Sequence, residues 1–264
     1  MSSYDYLFPA MASEGQLSSP ELLTSNFSSL GIVIRAKDVP ALDRLGELVA
    51  SCHNLRTLKV SCIGRITRPI RRNGQVEPFR RPPRGHPWNC QSNECGETLP
   101  GLLELELSSF CICGDVDGAS YENLPWQQLR RVKFTCPSFL TRFAGQMTHL
   151  CALELHLDLR SPDIESFCMD PSCSPSTEDI GQCLRTFTGL KELHLVNGTH
   201  LLDETLIAQV GPTVRSISAH QQEQRTTTER IILSKEMLFT IAAMCPNLRS
   251  LSVDMLDKSV LVGA

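Results

Sequence analysis

The chain has 264 residues, of which 41% are hydrophobic, and it carries a formal net charge of −4. This length allows one large domain or two small ones, and the weak negative charge gives no general attraction to nucleic acid. No apolar run approaches the roughly 18 residues of a membrane-spanning helix, so no membrane partner is expected.

The first predicted elements follow a weakly patterned start. Residues 1–20 are serine-rich and are interpreted as a loose N-terminal segment, followed by a single domain over 21–264. A strand, a helix and a second strand are then predicted at 27–34, 38–51 and 55–60. The helix is indicated by apolar residues on one face, which are Leu42, Leu45, Leu48 and Val49.

An insertion at 63–100 interrupts this pattern with six prolines and a strong positive charge. Residues 64–86 hold seven arginines against Glu77, a charge of +6, which leaves −10 for the rest of the chain. The arginines are Arg65, Arg68, Arg71, Arg72, Arg80, Arg81 and Arg84. Proline removes backbone donors and like charges repel, so a packed element is not expected. The insertion is either a solvated, disordered loop or a functional basic patch.

Three further strands are predicted at closer spacing, near 102–107, 129–134 and 150–157. Phe139, Leu140 and Phe143 indicate a short helix between the last two. A second insertion, at 158–177, is acidic and contains three prolines.

The remaining elements alternate helix and strand. A helix at 178–187 leads into a strand at 190–196. Asp203 and Ser234 stand at predicted N-caps, because their side-chain oxygens can accept from N–H groups in the first helical turn. The last helix is predicted to turn three apolar residues inward, which are Met237, Ile241 and Met244.

One phrase recurs in this series. Cys52-His-Asn-Leu-Arg-Thr-Leu-Lys-Val60 and Cys245-Pro-Asn-Leu-Arg-Ser-Leu-Ser-Val253 share the pattern Cys-x-x-Leu-x-x-Leu-x-Val. Aligning the chain on it gives eight apolar anchors, each followed at the third and fifth places by further apolar residues. The anchors are Phe27, Leu55, Leu102, Leu129, Leu150, Leu190, Val214 and Leu248. The pattern resembles the leucine-rich repeat, and the Cys-x-x-Leu lead-in resembles the cysteine-containing repeats of F-box proteins.

This resemblance implies an α/β leucine-rich-repeat solenoid, with a curved parallel β-sheet inside and helices and loops outside. It also implies a non-enzymatic protein–protein interaction module, of the substrate-recognition type found in F-box ubiquitin-ligase adaptors. The intervals between anchors are ragged, and no F-box is visible, because Phe27 already begins the first repeat. The chain is interpreted as an orphan repeat domain or a truncated product.

Twelve cysteines would fit a disulfide-rich secreted protein, but the chain opens without the basic start and apolar run of a signal peptide. Cys52 and Cys245 also stand where this repeat uses a free, buried thiol as a small apolar filler. A cytoplasmic or nuclear location is therefore predicted.

No motif predicts catalysis or a cofactor. A zinc site is not favoured, because the spacing of its candidate ligands is poor; they are His86, Cys90, Cys95, Cys111 and Cys113. Asp115-Val-Asp-Gly118 lacks the closing glutamate of a calcium loop. No nucleophile elbow brings a serine, a histidine and an aspartate together, so neither an enzyme nor a small-molecule substrate is expected.

The candidate binding residues lie on the solvent side of the predicted strands, because side chains alternate across a strand. Charges of alternating sign follow one another from strand to strand, beginning with Lys59 and Glu106. The full candidate set on the concave face is Lys59, Glu104, Glu106, Arg131, Lys133, Glu154, His156, Glu192, His194 and His220. This ladder either only keeps the sheet soluble and in register, or forms a patch for a polar protein partner.

Two alternatives to protein binding stay open. The arginine-rich insertion could bind nucleic acid or an acidic partner, although Phe79 and Trp88 are too few aromatics for a stacking platform. The chain could also be a fragment without independent function.

Overall fold

The computed structural model describes the greater part of the predicted repeats. The described residues are 27–35, 49, 51–63, 71–72, 75–76, 101–108, 124–157, 175–221 and 232–254. The chain forms two compact units. The first comprises residues 1–108 and 114–125, and the second comprises residues 109–113 and 126–264. Most of both predicted insertions, and the candidate zinc and calcium residues, lie outside the described ranges.

The first unit contains parallel strands and a short hairpin. Its described strands are β1 (Ser29–Arg35), β2 (Thr57–Ile63), β3 (Arg71–Arg72), β4 (Gln75–Val76) and β5 (Glu104–Ser108). Strand β2 pairs in parallel with β1 on one side and with β5 on the other. Strands β3 and β4 pair antiparallel within the arginine-rich insertion.

The second unit alternates strands and helices. Its strands are β6 (Arg131–Phe134), β7 (Ala152–His156), β8 (Glu192–Val196), β9 (Ser216–His220) and β10 (Ser250–Val253). Its helices are α1 (Pro137–Phe143), α2 (Thr177–Arg185), α3 (Glu204–Val210) and α4 (Lys235–Met244). The five strands pair in parallel in chain order. Successive helices contact one another and so flank one side of the sheet. The α/β class with parallel strands is confirmed.

Each strand keeps the same phase relative to its anchor. Within each unit, residues two places after neighbouring anchors pair, as Thr57 does with Glu104 and Ala152 does with Glu192. The carbonyl one place after an anchor accepts two N–H groups from the next strand. Arg56 accepts from Leu103 and Glu104 in the first unit. In the second unit the accepting carbonyls are those of Arg130, Cys151, Lys191 and Arg215.

The strands begin about two residues later than the sequence predicts. The N–H of an anchor bonds back to the carbonyl three places earlier, as in Leu55 to Cys52 and Leu248 to Cys245. The anchor therefore closes a turn, and the strand ladder starts beyond it.

Buried apolar residues fill the space between strands and helices. The anchors Leu55, Leu102, Leu129, Leu150, Leu190 and Val214 are all buried. In the second unit, Trp126 stacks on Phe143 with ring centroids 4.2 Å apart, and Phe134 stacks on Phe139 at 5.3 Å. The short helix predicted from Phe139 and Phe143 is confirmed as α1, whose apolar face forms part of this aromatic cluster.

The position three places before the anchor holds a large or soft side chain in most of the repeats where the structure describes it, although Gly211 occupies it before Val214. Cys52 and Cys245 are buried, as predicted, and burial raises the pKa of both thiols. Trp126, Met147 and Phe187 occupy the same position in other repeats and are also buried. Cysteine is thus one of several fillers for this site, and its thiol acts as an apolar group.

Both predicted helix caps are present. Asp203 Oδ1 accepts from the N–H of Leu206, and Ser234 Oγ accepts from the N–H of Met237 at 3.1 Å. Ser176 caps α2 in the same way and forms a capping box with Asp179. On α4, Ile241 is buried, whereas Met237 and Met244 are only partly covered.

Gly211 lies where α3 ends against the end of α4. A Cβ atom at this position would lie 2.5 Å from the carbonyl oxygens of both Ile207 and Met244. Backbone oxygens cannot rotate away as the tip of a long side chain can, so only glycine fits without movement of a helix.

We predict that Gly211→Ala destabilises the second unit by about 1–3 kcal/mol, the usual cost of overpacking. Urea unfolding of the purified chain measures this. The matched control is Gly181→Ala in α2, where the added methyl meets only the Arg185 side chain at 3.7 Å. That variant should gain about 0.5–1 kcal/mol, since glycine is costly inside a helix. Equal effects of the two substitutions would contradict the close approach at Gly211.

Candidate functional site

In the second unit, the side of the sheet opposite the described helices presents three rows of side chains, two, four and six places after each anchor. We call these three rows the strand face. They lie on β6–β10 and include the residues of the rows that directly follow a strand. Burial alternates along β8 and β9, with Leu193, Leu195, Ile217 and Ala219 buried and their neighbours partly exposed. The polar rows therefore face solvent, as the sequence predicts.

One ion pair on this face spans a strand. Arg131 on β6 and Glu192 on β8 approach to 2.9 Å, although β7 runs between them. The residue beneath the pair is Ala152, which is in register with both and only 4% exposed. Its short side chain leaves room for the two long side chains to meet above it.

A second group joins β6 and β7. Lys133 Nζ lies 3.0 Å from Glu154 Oε1, and His156 Nε2 lies 2.7 Å from the same oxygen. Burial raises the pKa of Glu154, but the hydrogen bonds and charges of His156 and Lys133 outweigh it, so the pKa lies below its ordinary value. The carboxylate is therefore held in its charged form between two donors.

The first unit carries a similar pair on its own strands. Lys59 Nζ on β2 lies 3.5 Å from Glu106 Oε2 on β5, the partner predicted by strand-to-strand alternation. Glu104 is partly exposed on the same strand, in register with Thr57. These three predicted residues belong to the first unit, whereas the strand face belongs to the second.

The other half of the strand face, on β9 and β10, is built from small hydroxyl residues. These are Ser216, Ser218, Ser250 and Ser252, and each is at least partly exposed. Neighbouring β8 contributes His194, which makes no hydrogen bond or ion pair with the other described residues. Small side chains make this half shallow, in contrast to the long ion-paired residues of β6–β8.

A hydrogen-bonded trio lies at the end of this half. Ser252 Oγ is 2.9 Å from His220 Nε2, and His220 Nδ1 is 3.1 Å from Asp254 Oδ1. The other oxygen of Asp254, Oδ2, accepts from the backbone N–H of Gln221 at 2.6 Å. The absence of a nucleophile-elbow motif predicts no contact among a serine, a histidine and an aspartate. The repeat register does bring such a set together here.

Repeat alignment contains the signal that could have found this trio. His220 and Asp254 both stand six places after their anchors, Val214 and Leu248, so they lie one place beyond the last registered pair of β9 and β10, Ala219 with Val253. Ser252 stands four places after Leu248, on the same face. A search for motifs within one continuous segment misses residues that are 34 positions apart.

Of the seven arginines of the basic insertion, Arg71 and Arg72 fall within a described element, the β3–β4 hairpin, and the other five lie outside the described residues. Among the residues that the structure describes, no group of three or more potential ligands could hold a metal ion. Within the same part of the chain, no helix combines the length and apolar character needed to cross a bilayer.

Comparison with known proteins yields no assignment, since no family model matches the chain and no curated protein shows significant similarity to it.

We predict that the Lys133–Glu154 pair stabilises the fold in a pH-dependent way. The folded-state pKa of Glu154 lies below the unfolded value, so the stabilisation is present above the unfolded pKa, near 4.3, and is lost as pH falls through the folded value. Both side chains are about one-third exposed, so the coupling at neutral pH should be about 0.5–1 kcal/mol.

A double-mutant cycle with Lys133→Met and Glu154→Gln, measured by urea unfolding, separates this coupling from other effects of each substitution. The coupling energy should shrink towards zero between about pH 7 and about pH 3. A coupling energy that stays constant over this range would contradict the assignment.

Proposed function

We propose that the chain is a leucine-rich-repeat solenoid whose function is to bind a protein partner through the strand face. Catalysis is not part of this proposal. The Cys-x-x-Leu lead-ins resemble those of F-box adaptors, so a protein marked for ubiquitin ligation is the class of partner to test first. We place the protein in the cytosol or nucleus, where Cys52 and Cys245 would stay reduced as buried fillers.

The observation that carries this proposal is the charge pattern of the strand face. Charges of both signs are fixed by strand register and joined in pairs at about 3 Å, at Arg131–Glu192 and Lys133–Glu154. Partly exposed pairs of this kind contribute little to stability, typically below about 1 kcal/mol each. An ordered array of such groups is better suited to partner selection, because opposed charges reject wrong partners and set the docking register.

Packing supports the same proposal. In the described part of the second unit, the helices flank the opposite side of the sheet, and the polar side chains of the strand face are exposed or partly exposed to solvent and to a ligand. Its polar side chains stand on strands whose inner residues, such as Leu153 and Leu193, are buried. A rigid scaffold of this kind holds surface groups in place and lowers the entropy lost on binding.

The test uses charge reversal at the pair Lys133 and Glu154. Partners would be captured on the purified chain from its source cells and identified, and their affinity would be measured for Lys133→Glu, Glu154→Lys and the double variant. Each single change breaks the ion pair, whereas the double variant restores a pair of reversed orientation. If the partner binds the charge pattern, all three variants should lose about tenfold or more in affinity.

The double variant separates binding from scaffolding. If the pair only holds the two strands in register, the double variant should bind like the unmodified chain. Glu236→Lys is the matched control, because it makes the same charge change at an exposed position on helix α4. Unchanged affinity in all three strand-face variants, with the fold intact, would overturn the proposal.

A further inference from the structure

The Ser252–His220–Asp254 trio has a defined direction of hydrogen bonding. A carboxylate can only accept, so the His220 Nδ1 atom beside Asp254 must carry the hydrogen. In the neutral imidazole, Nε2 then has the free lone pair, and Ser252 Oγ donates to it. This is the arrangement in which an imidazole can take the proton of a serine hydroxyl.

Strand pairing explains only part of the trio. Where β8 pairs with β9, the N–H of Asn197 donates to the carbonyl of His220. At the equivalent place between β9 and β10, the N–H of Gln221 donates to Asp254 Oδ2, so the side chain extends the ladder. This accounts for one carboxylate oxygen. It accounts neither for the contact of the other oxygen with His220 nor for that of Ser252 with the far side of the ring.

The nucleophile can be reached from solvent. Ser252 is exposed, and the side chains of His220 and Asp254 are 43% and 28% exposed. The neighbour of Ser252 across the sheet is Ser218, and Ser250 lies two places before Ser252 on the same strand. These small residues leave space for an acyl group to approach Ser252 Oγ from above the sheet.

We propose that Ser252 is a nucleophilic serine and a site of covalent acylation by activated esters. Ser252 Oγ attacks the carbonyl carbon while His220 Nε2 takes its proton, and the bond from that carbon to the leaving oxygen breaks. The products are acyl-Ser252 and the released alkoxide or phenolate, and the proton passes from His220 to the leaving group or to water. Asp254 is a positioning residue that holds the imidazole tautomer.

The open setting defines the class of acyl donor. Enzymes of this chemistry gain much of their rate from preorganised donors around the oxyanion, about 10²–10³-fold for a single one. On an exposed strand face, water provides most of this solvation. The donors that react at measurable rates are therefore those with stable leaving groups, such as aryl esters.

p-Nitrophenyl acetate is a suitable probe. The full chain would be treated for a series of times, and the acetyl groups would be mapped by mass spectrometry. Ser250 is an internal reference, because it is also exposed and lies on the same strand. General-base assistance contributes about 10²–10⁴-fold, so Ser252 should be acetylated at least about 100-fold faster than Ser250. Rates within about threefold of each other would overturn the proposal, and this comparison requires no variant.

Variants assign the roles. His220→Gln should lower the rate of acetylation at Ser252 to that of Ser250. Asp254→Asn should lower this rate about tenfold or more, because the imidazole is no longer held in the tautomer that carries its hydrogen on Nδ1. Asp254→Glu should restore most of the rate, because it returns a carboxylate that can accept from Nδ1. Glu236→Gln, at an exposed position on helix α4 outside the strand face, should leave the rate unchanged. If His220→Gln folds and still shows rapid acetylation at Ser252, the imidazole is not the base and the proposal fails.

Discussion

The structure depends on one backbone contact that is repeated along the chain. The carbonyl one place after an anchor accepts two N–H groups from the next strand, as Cys151 does from Lys191 and Glu192. This contact fixes the start of every ladder at the same distance from its anchor. Since side chains alternate along a strand, a slip of one residue would place the polar rows in the core and the leucines in water. The strand face exists because this phase is kept.

The position of a strand relative to its anchor does not depend on the length of the connection that precedes it. For this reason the sequence could predict the strands although the intervals between anchors vary. Leu129 and Leu150 are 21 residues apart, Leu150 and Leu190 are 40 apart, and yet the strands that follow these three anchors are in the same register. Apolar anchors and cap residues such as Asp203 are local signals, so they can be recognised one segment at a time. The parallel α/β architecture of the described residues follows from them.

Other features depend on what lies across the sheet, and a single segment does not contain that information. The sequence predicted neighbouring pairs such as Lys133 with Glu154. The Arg131–Glu192 pair spans a strand only because Ala152 is short, so its prediction needs three repeats at once. The residue before the anchor is a further case: Asn247 donates to the carbonyl of Pro212 in the preceding repeat. The sequence shows that the asparagine recurs in the repeated phrase, but the fold determines which carbonyl it contacts.

The trio on β9 and β10 arises from the same constraint at the place where strand pairing ends. An N–H beyond the last ladder carbonyl needs another acceptor, since a backbone donor without one is costly when it is removed from water. Asp254 supplies it to Gln221, and this contact holds the carboxylate in line with His220. A group placed to complete a sheet thereby orients an imidazole, and Ser252 lies within reach because the repeat phase puts it on the same face. Asp254 thus has both a structural and a chemical role, and the reactivity of Ser252 distinguishes the two. Extension of the ladder requires only an acceptor at position 254. Activation of the serine also requires the imidazole of His220 between Asp254 and Ser252.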